Sequence, residues 1–460
     1  MLFKFENIRF NDLSIPHAEI SIMQLIIYTE KTSPRLEYAL SVFLKQLLRL
    51  TYQLVKEETV YLKSDLPKVN YSQKRIASTE FFVKPHSILF EKSIKIQSIK
   101  PFRHQNLTAF FGSDAEDADL PFDVFAFVFF LLSRYEEYLP FNADAHERFT
   151  ASESVAYQYG FLKQPLINLW SLQFKELLSQ KYPQLQFSLP RYEFQPTYDV
   201  DFAWSYRYKG FLRGLGGYFR DLSTLDFFTL KERFLVQTQQ QPDPYYVFDY
   251  LENLHQSHQL SPVWFFLLAD YGAFDKNISF KNKDFQRLIK TIHRNYKTGI
   301  HPSYQSNASV RILKKEKQRL ENITQKKVTQ SRQHFLKLSF PETYQRLLGI
   351  GITDDYTMGY ADETGFRASI AHSFFWYDLK NETTTNLRIH PFQVMDVTLQ
   401  QYLKLSPEQA IEKAVKIIEA TKEVGGTFVS LWHNSSFSNE EKWRGWKTVY
   451  ETILEKAIDV

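Results

Sequence analysis

Cysteine is absent from this chain of 460 residues. Its absence excludes disulfide scaffolds, cysteine-bound zinc, iron–sulfur clusters and thiol nucleophiles. Glycine is scarce at 15 residues, and neither G-x-x-x-x-G-K-[ST] nor G-x-G-x-x-G occurs, so we expect no glycine-rich phosphate-binding loop. The G-x-S-x-G elbow of serine hydrolases is missing as well. Any metal site must therefore use histidine, carboxylate or water ligands.

Neither sign of charge dominates, because the chain has 56 Lys and Arg residues and 52 Asp and Glu residues, which give a net charge of +4. That excess is too small to predict a nucleic-acid partner. The longest apolar run, residues 124–132, is far shorter than the ~20 residues that a membrane span needs. The first residues lack the apolar segment and cleavage site of a signal peptide, so we expect a soluble, cytoplasmic protein.

Aromatic residues are abundant, with 41 Phe, 27 Tyr and 7 Trp. They supply large buried surfaces and flat faces on which sugars stack. A chain of this length exceeds one hydrophobic core, and a polar, proline-punctuated segment at 181–191 is the best boundary. We therefore predict an N-terminal domain over residues 1–190 and a second domain over residues 191–460.

The N-terminal domain opens with the pattern of an α/β fold. Residues 21–30 and 51–57 have the composition of buried strands, and residues 34–48 have the amphipathic pattern of a helix. Residues 122–138 and 165–179 predict two more helices, of which the first is strongly apolar. The sequence assigns this domain no role.

The second domain alternates short apolar segments that end in polar residues with helical patterns. Strands are predicted at residues 194–201, 262–270, 297–301, 328–334, 347–353, 368–378, 387–395 and 427–433. Helices are predicted between several of them, notably at residues 283–295, 309–325 and 407–424. This alternation predicts a (β/α) barrel of about seven or eight strands, with a two-layer open sheet as the alternative.

Two carboxylates lie at the end of the first strand of the second domain. Because side chains alternate along a strand, Asp199 and Asp201 share a face in the sequence TYDVD. Two like charges so close together need a cation or a shared proton to compensate them. One carboxylate therefore suits a metal ligand and the other suits a general base.

Other strand ends carry groups suited to the same chemistry. Pro302 ends one strand and leaves His301 at its tip. Arg332 and His334 share a face at the end of a later polar strand, and His433 ends a buried strand. The strand ends of a barrel converge on one face, so we expect these side chains to surround one site.

The ordered segments TYDVD, GIHPSY, GFRAS and LWH resemble the polysaccharide deacetylase family, carbohydrate esterase family four. The resemblance covers roughly residues 192–445, and segments such as GYADETGFRAS resemble a divergent branch with an additional N-terminal domain. It implies a deformed (β/α) barrel and a hydrolase that removes an N- or O-acetyl group from a carbohydrate with metal-bound water as the nucleophile.

The resemblance also implies a role for each motif residue. Asp199 corresponds to the base, Asp201 to the metal-binding carboxylate and His301 to the first histidine ligand. Arg367 corresponds to the arginine that orients the base, and His433 corresponds to the general acid. The implied cofactor is one divalent metal ion, with zinc as the default for nitrogen and oxygen ligands.

The chain departs from the family pattern at the metal site. Val200 separates the two carboxylates, so which of them binds the metal could be exchanged. Gln305 stands where the family has a second histidine, so an amide, a water or another histidine must complete the ligand set. We predict that His334, one strand further on, is that ligand.

The sequence also predicts residues that contact the sugar, and it leaves two alternative functions open. Tyr304, Trp432 and Tyr360 are predicted to provide the stacking surface for a sugar. The loss of the second histidine also fits a degenerate deacetylase that binds glycans without turnover. A two-carboxylate glycosidase that uses Asp199, Asp201 or Asp396 is the other alternative.

Overall fold

The computed structural model describes residues 24–459 of the chain. Its first part contains a parallel four-stranded sheet and a short antiparallel hairpin. The strands are β1 (Leu25–Thr29), β2 (Tyr52–Val55), β3 (Lys68–Tyr71), β4 (Phe81–Phe82), β5 (Phe102–His104) and β6 (Leu107–Ala109). The sheet order is β2-β1-β3-β4, and β5 pairs with β6. The strands predicted at 21–30 and 51–57 are confirmed over β1 and β2, while residues 21–23 lie outside the described residues.

Five α-helices are described before residue 190, and one of them is entirely apolar. They are α1 (Pro34–Leu40), α2 (Glu58–Lys63), α3 (Val124–Leu132), α4 (Val155–Gln158) and α5 (Leu166–Lys181). A π-helix, Ser41–Leu47, continues α1. Every residue of α3 is buried, as its uniformly apolar sequence predicts, because a helix without a polar face must lie inside the core.

Asp123 caps the buried helix α3 and is itself buried. One carboxylate oxygen accepts hydrogen bonds from the amides of Phe125 and Ala126 at 2.9 and 3.0 Å. The other accepts the Tyr71 hydroxyl at 2.6 Å and the His86 amide at 2.7 Å. A single buried side chain thus satisfies four donors.

We expect Asp123→Ala to lower the free energy of unfolding by at least about 3 kcal/mol, because it removes a helix cap and leaves buried donors unpaired. Equilibrium unfolding in urea measures the change. Asp226→Ala is the matched control, since Asp226 caps an exposed helix with one bond of 2.9 Å to the Thr229 amide. The control should cost about 1 kcal/mol. Equal losses in the two variants would contradict the role assigned to Asp123.

The second part is built on a large, mostly parallel sheet. Its strands are β7 (Glu193–Val200), β8 (Val263–Phe266), β9 (Lys297–Ile300), β10 (Gln330–Ser331), β11 (Asp354–Asp355), β12 (Phe374–Asp378), β13 (Thr383–Ile389), β14 (Val394–Met395) and β15 (Thr427–His433). The order is β12-β13-β11-β10-β9-β8-β7-β15-β14, and the β12–β13 pair is antiparallel. Among residues 24–459 the end strands β12 and β14 do not pair with each other. The α/β class with parallel sheets is confirmed, whereas closure into a barrel stays a prediction.

Helices follow most of these strands. They are α6 (Phe211–Ser223), α7 (Phe227–Gln237), α8 (Phe248–Ser257), α9 (Lys283–Asn295), α10 (Val310–Thr324), α11 (Glu342–Gly349), α12 (Pro407–Glu423) and α13 (Trp446–Ile458). The predicted helices at 283–295, 309–325 and 407–424 are confirmed by α9, α10 and α12. Within the described part of the chain, no helix is both long and apolar enough to cross a bilayer.

Several predicted strands differ from the observed ones. The strand predicted at 347–353 is wrong, because residues 342–349 form α11, which buries Thr343, Tyr344 and Leu347 along one helical face. The strand predicted at 387–395 is two strands, β13 and β14, with Pro391 between them. These differences leave the strands that carry the candidate site unchanged.

The two parts of the chain share one hydrophobic core. Polar contacts cross between them as well: Asn168 accepts a hydrogen bond from the Ala371 amide at 2.9 Å, and the Phe366 amide donates to the Leu162 carbonyl at 2.9 Å. Arg35, which is buried, pairs with Glu382. The first part therefore packs directly against the part that carries the candidate site.

Candidate metal centre and catalytic cleft

Five of the predicted site residues meet at the carboxyl ends of neighbouring parallel strands. Asp199 and Asp201 lie at the end of β7, His301 follows β9, His334 follows β10, and His433 ends β15. They line a cleft with a volume of about 540 Å³. Convergence of parallel strand ends is the geometric reason that residues far apart in the chain form one site.

Asp201 lies at the centre of three imidazoles. Its Oδ1 atom is 3.2 Å from His301 Nε2 and 3.7 Å from His334 Nε2. Its Oδ2 atom is 3.9 Å from His433 Nε2. The ligand atoms of Asp201, His301 and His334 all lie within 4.8 Å of one another, so these three residues could hold a metal ion.

Each imidazole is held through its Nδ1 atom, which leaves Nε2 directed at Asp201. His301 Nδ1 donates to the Arg332 carbonyl at 2.6 Å. His334 Nδ1 donates to Asp275 at 2.9 Å, and His433 Nδ1 donates to Asp396 at 2.9 Å. Metal-binding histidines are typically fixed in this way, because the bond at one ring nitrogen sets the tautomer that offers the other to the ion.

Two observations fit a cation between these residues. Two ligands about 2.0–2.1 Å from a tetrahedral ion lie about 3.3–3.4 Å apart, which is close to the Asp201–His301 and Asp201–His334 distances. Asp201 Oδ1 is buried and has no hydrogen-bond partner among the described residues. Gln305 is exposed and is not part of the cluster, whereas His334 is.

The electrostatics of the cluster favour positive charge. Burial alone would raise the pKa of Asp201, but His334 and His301 hold it well below its ordinary value. Burial alone would lower the pKa of His334, but Asp201 and Asp275 raise it to about 9. His433 is likewise raised to a pKa of about 10, since Asp396 and Asp201 outweigh burial. A metal cation would replace the protons that compensate Asp201.

Asp199 is paired with Arg332 and not with Arg367. Arg332 Nη1 donates to Asp199 Oδ1 at 3.1 Å, and Arg332 Nε donates to the Tyr356 carbonyl at 2.9 Å. Both side chains of the pair are buried, and the Arg332 guanidinium carbon lies 4.7 Å from the centre of the Phe265 ring. Arg332 is therefore the arginine that fixes the orientation of Asp199.

The prediction that Arg367 orients the base is corrected by its contacts. Arg367 forms a buried pair with Glu137 of the first part, at 2.5 and 3.0 Å, and donates to the Gly359 carbonyl at 2.8 Å. Arg134 also binds Glu137, at 2.7 Å. Because its donors are used in this network, Arg367 joins the two parts of the chain and does not contact Asp199.

His433 forms a buried unit with Asp396. Asp396 accepts the His433 backbone amide at 2.7 Å in addition to its ring, and it also accepts the Ser436 hydroxyl. Asp396 is fully buried, so its charge acts on His433 with little screening by solvent. This arrangement keeps the His433 ring in one orientation with Nε2 facing the cleft.

The predicted stacking residues are not cleft aromatics. Trp432 is fully buried and packs on Tyr450, and Tyr360 is buried beside Arg134 and Arg367. Tyr304 is half-buried and stacks on Phe274 outside the cleft lining. The partly exposed aromatic residues that do line the cleft are Phe202, Tyr245, Phe335 and Tyr402.

The backbone is strained immediately after His334. Phe335 and Leu336 have φ angles of 59° and 54°, a region that bulky residues rarely adopt. Such a residue costs on the order of 1–3 kcal/mol and persists only where surrounding contacts impose it. Both side chains line the cleft.

Sequence reasoning missed three residues that support the site. Arg332 was noted at a strand end but without its role, and Asp396 was considered only as a glycosidase carboxylate. The position of Asp396 directly after β14 is a signal that could have identified it as a partner of His433. Asp275 lies in a loop, and no sequence pattern points to its bond with His334.

A family model matches the first part of the chain. Residues 25–183 match the model of a family of unknown function, DUF7033. No curated protein matches the chain.

The chain is distantly similar in structure to polysaccharide deacetylases over 58–59% of its length. A candidate polysaccharide deacetylase from Mycobacterium smegmatis is 16% identical, with 59% of this chain and 85% of that chain covered and a TM-score of 0.38. The polysaccharide deacetylase Bc1974 from Bacillus cereus is 12% identical, with 58% and 89% covered and a TM-score of 0.28. A 4-alpha-glucanotransferase from Thermococcus litoralis is 10% identical, with 59% and 38% covered and a TM-score of 0.34.

Proposed function

We propose that this chain is a metal-dependent hydrolase that removes an N- or O-acetyl group from a carbohydrate. One observation carries the proposal: the ligand atoms of Asp201, His301 and His334 lie within 4.8 Å of one another, in a cleft that also contains Asp199 and His433. A metal site flanked by a carboxylate and an imidazole supplies the three groups that hydrolysis of an amide or ester requires: a Lewis acid, a base and an acid.

Asp201, His301 and His334 would hold the ion. A divalent metal bound there lowers the pKa of water and stabilises negative charge that develops on the acyl oxygen. Zinc is the first choice for one carboxylate and two imidazole ligands, although nitrogen and oxygen donors also accept other divalent ions. The Nδ1 hydrogen bonds of His301 and His334 described above keep their ligand atoms oriented.

Asp199 and His433 move the protons. Arg332 occupies Asp199 Oδ1, so Asp199 Oδ2 is the atom that accepts a proton from the attacking water. His433 Nε2 then donates a proton to the leaving nitrogen or oxygen of the sugar, while Asp396 holds the ring at Nδ1. The two groups thus divide the base and acid roles between them.

The lining of the cleft supports a carbohydrate as the substrate. Tyr245, Phe335 and Tyr402 offer partly exposed aromatic faces that can pack on the apolar face of a sugar ring. Gln333, Gln401 and Lys442 line the same cleft and offer hydrogen-bonding groups for hydroxyls. Polar groups in fixed positions beside aromatic faces are typical of sites that orient a small polar ligand.

Metal removal followed by an acetate-release assay tests this function. Purified protein is treated with a chelator, dialysed, and assayed on a panel of N-acetylated and O-acetylated oligosaccharides, then reloaded with zinc or cobalt. We expect loss of activity without the metal and its recovery on reloading. Tight metal binding without acetate release from any member of the panel would instead support a glycan-binding protein.

A two-carboxylate glycosidase gives a different result. Its activity on a glycan would survive the chelator and would be abolished by Asp199→Asn, with cleaved sugar chains in place of free acetate. A metal-dependent deacetylase loses activity under both treatments and leaves the chain length of the glycan unchanged. Mass spectrometry of the products separates the two outcomes.

A further inference from the structure

The first part of the chain reaches the cleft through one side chain. Arg148 belongs to the segment 144–148, which precedes the large sheet by more than forty residues of sequence, and it lines the cleft. It is almost fully buried, with a side-chain exposure of 8%. A buried arginine is retained only where its donors are used, so its partners indicate what it does.

The partners of Arg148 are two elements of the cleft wall. Arg148 Nη1 donates to the Phe335 carbonyl at 2.8 Å, and Nη2 donates to the Tyr402 hydroxyl at 2.9 Å. Arg148 Nε donates to Asp144 at 2.7 Å, which fixes the guanidinium in its plane. The planar fork of arginine therefore bridges the turn after His334 and a second lining residue, the aromatic side chain of Tyr402.

The hydrogen bond from Arg148 is accepted by a residue with a strained backbone, Phe335. Phe335 and Leu336 both have positive φ angles, and the residue before them is the metal-site histidine His334. The rings of His334 and Phe335 are packed with their centres 4.6 Å apart. The conformation of this turn sets the direction in which His334 leaves the backbone, so a contact that holds the turn also holds the His334 ligand atom.

A second residue of the segment 144–148 also contacts the turn that follows His334. Glu147 pairs with Lys337 at 2.6 Å, but the Glu147 side chain is 77% exposed. An exposed ion pair of this kind contributes little to stability, whereas the buried Arg148 bond is protected from solvent. The two contacts differ in burial and reach the turn from neighbouring residues, which makes Glu147 the natural control for Arg148.

We infer that Arg148 is a positioning residue that holds the strained turn at residues 334–337, so that the first part of the chain completes the metal centre and one wall of the cleft. This inference rests in part on the proposed function, because the ligand role of His334 belongs to it. It assigns to the first part a contribution that its fold alone does not reveal: Arg148 supplies a buried cation to the Phe335 carbonyl of the second part.

Two measurements test the inference on the full chain. Hydrogen exchange in a peptide that spans residues 330–340 reports on the turn without any metal, and Arg148→Met should raise exchange there while peptides from α5 and α12 stay unchanged. Titration with cobalt, followed by its visible absorption, should give a binding constant weaker by about tenfold in Arg148→Met, as expected when a group that orients a ligand is lost. Arg148→Lys should restore part of the affinity, and Glu147→Gln should match the wild type in both measurements.

The outcomes separate the inference from the proposed function. A folded Arg148→Met protein with wild-type exchange at residues 330–340 and wild-type cobalt affinity overturns the inference. A wild-type protein that binds no cobalt overturns the proposed metal site, and the exchange result then decides whether Arg148 holds the turn. If Arg148→Met does not fold, Arg148→Lys is measured in its place. Hydrogen exchange at residues 330–340 of Arg148→Lys that equals the exchange in Glu147→Gln would then contradict the inference.

Discussion

Asp201→Asn should leave a folded protein that no longer holds a divalent ion and that releases acetate more slowly by about 10³-fold, since it removes the charged ligand on which the metal and its electrostatic stabilisation depend. Asp201 is the carboxylate on which three Nε2 atoms converge, whereas Asp199 is 3.7 Å from His301 Nε2 and is paired with Arg332. Metal content by elemental analysis and acetate release under saturating substrate measure the two effects.

Thermal unfolding gives an independent measure of the same change. A ligand at 100 times its dissociation constant stabilises the folded state by about 2.7 kcal/mol, so added metal should raise the Tm of the wild type but not that of Asp201→Asn. Asp270→Asn is the control, because Asp270 is an exposed carboxylate that pairs with Lys315 and Arg319. If Asp201→Asn still bound one equivalent of metal, and added metal raised its Tm as much as it raises that of the wild type, the ion would bind elsewhere.

The long strands of the large sheet could be predicted, and the short ones could not. β7 and β15 have eight and seven residues, of which five in each are buried, and such runs have a recognisable apolar pattern. β10, β11 and β14 have two residues each, which is too short for any periodicity to be visible in the sequence. Whether the sheet closes depends on pairing between distant strands, which local patterns do not encode.

The proximity of the candidate site residues could be predicted, because it follows from strand geometry. Alternation placed Asp199 and Asp201 on one face, and both lie near His301 Nε2, at 3.7 and 3.2 Å. His334 was predicted from its position at a strand end, and its Nε2 atom lies 3.7 Å from Asp201. Here the local pattern and the convergence of parallel strands were sufficient.

The roles of Arg367 and Trp432 show what local patterns miss. The partner of Arg367 is Glu137, 230 residues earlier in the chain, so its contact depends on how the two parts pack. The burial of Trp432 could have been anticipated, because it precedes His433 in β15 and adjacent residues of a strand point to opposite faces. Long-range packing determines the contacts of Arg367. The alternation of side chains along β15, which the prediction overlooked, determines the burial of Trp432.

His433→Gln should lower kcat for deacetylation by about 10²–10⁴-fold while the affinity for the metal stays the same, because it removes the proton donor but none of the three ligands. Asp396→Asn should have a smaller effect, since it keeps the imidazole and weakens only its orientation and its charge. His390→Gln is the matched control: His390 forms a similar pair with Asp354, at 2.8 Å, but does not line the cleft.

The leaving group provides the decisive comparison for His433. An acetyl ester of an acidic phenol departs without protonation, so the loss caused by His433→Gln should be much smaller on that ester than on an N-acetylated sugar. Asp201→Asn should lose activity on both substrates, because the metal stabilises charge on the acyl oxygen in either case. If His433→Gln were equally slow on both substrates, His433 would act on the acyl group or the metal, and the acid role would pass to another residue of the cleft.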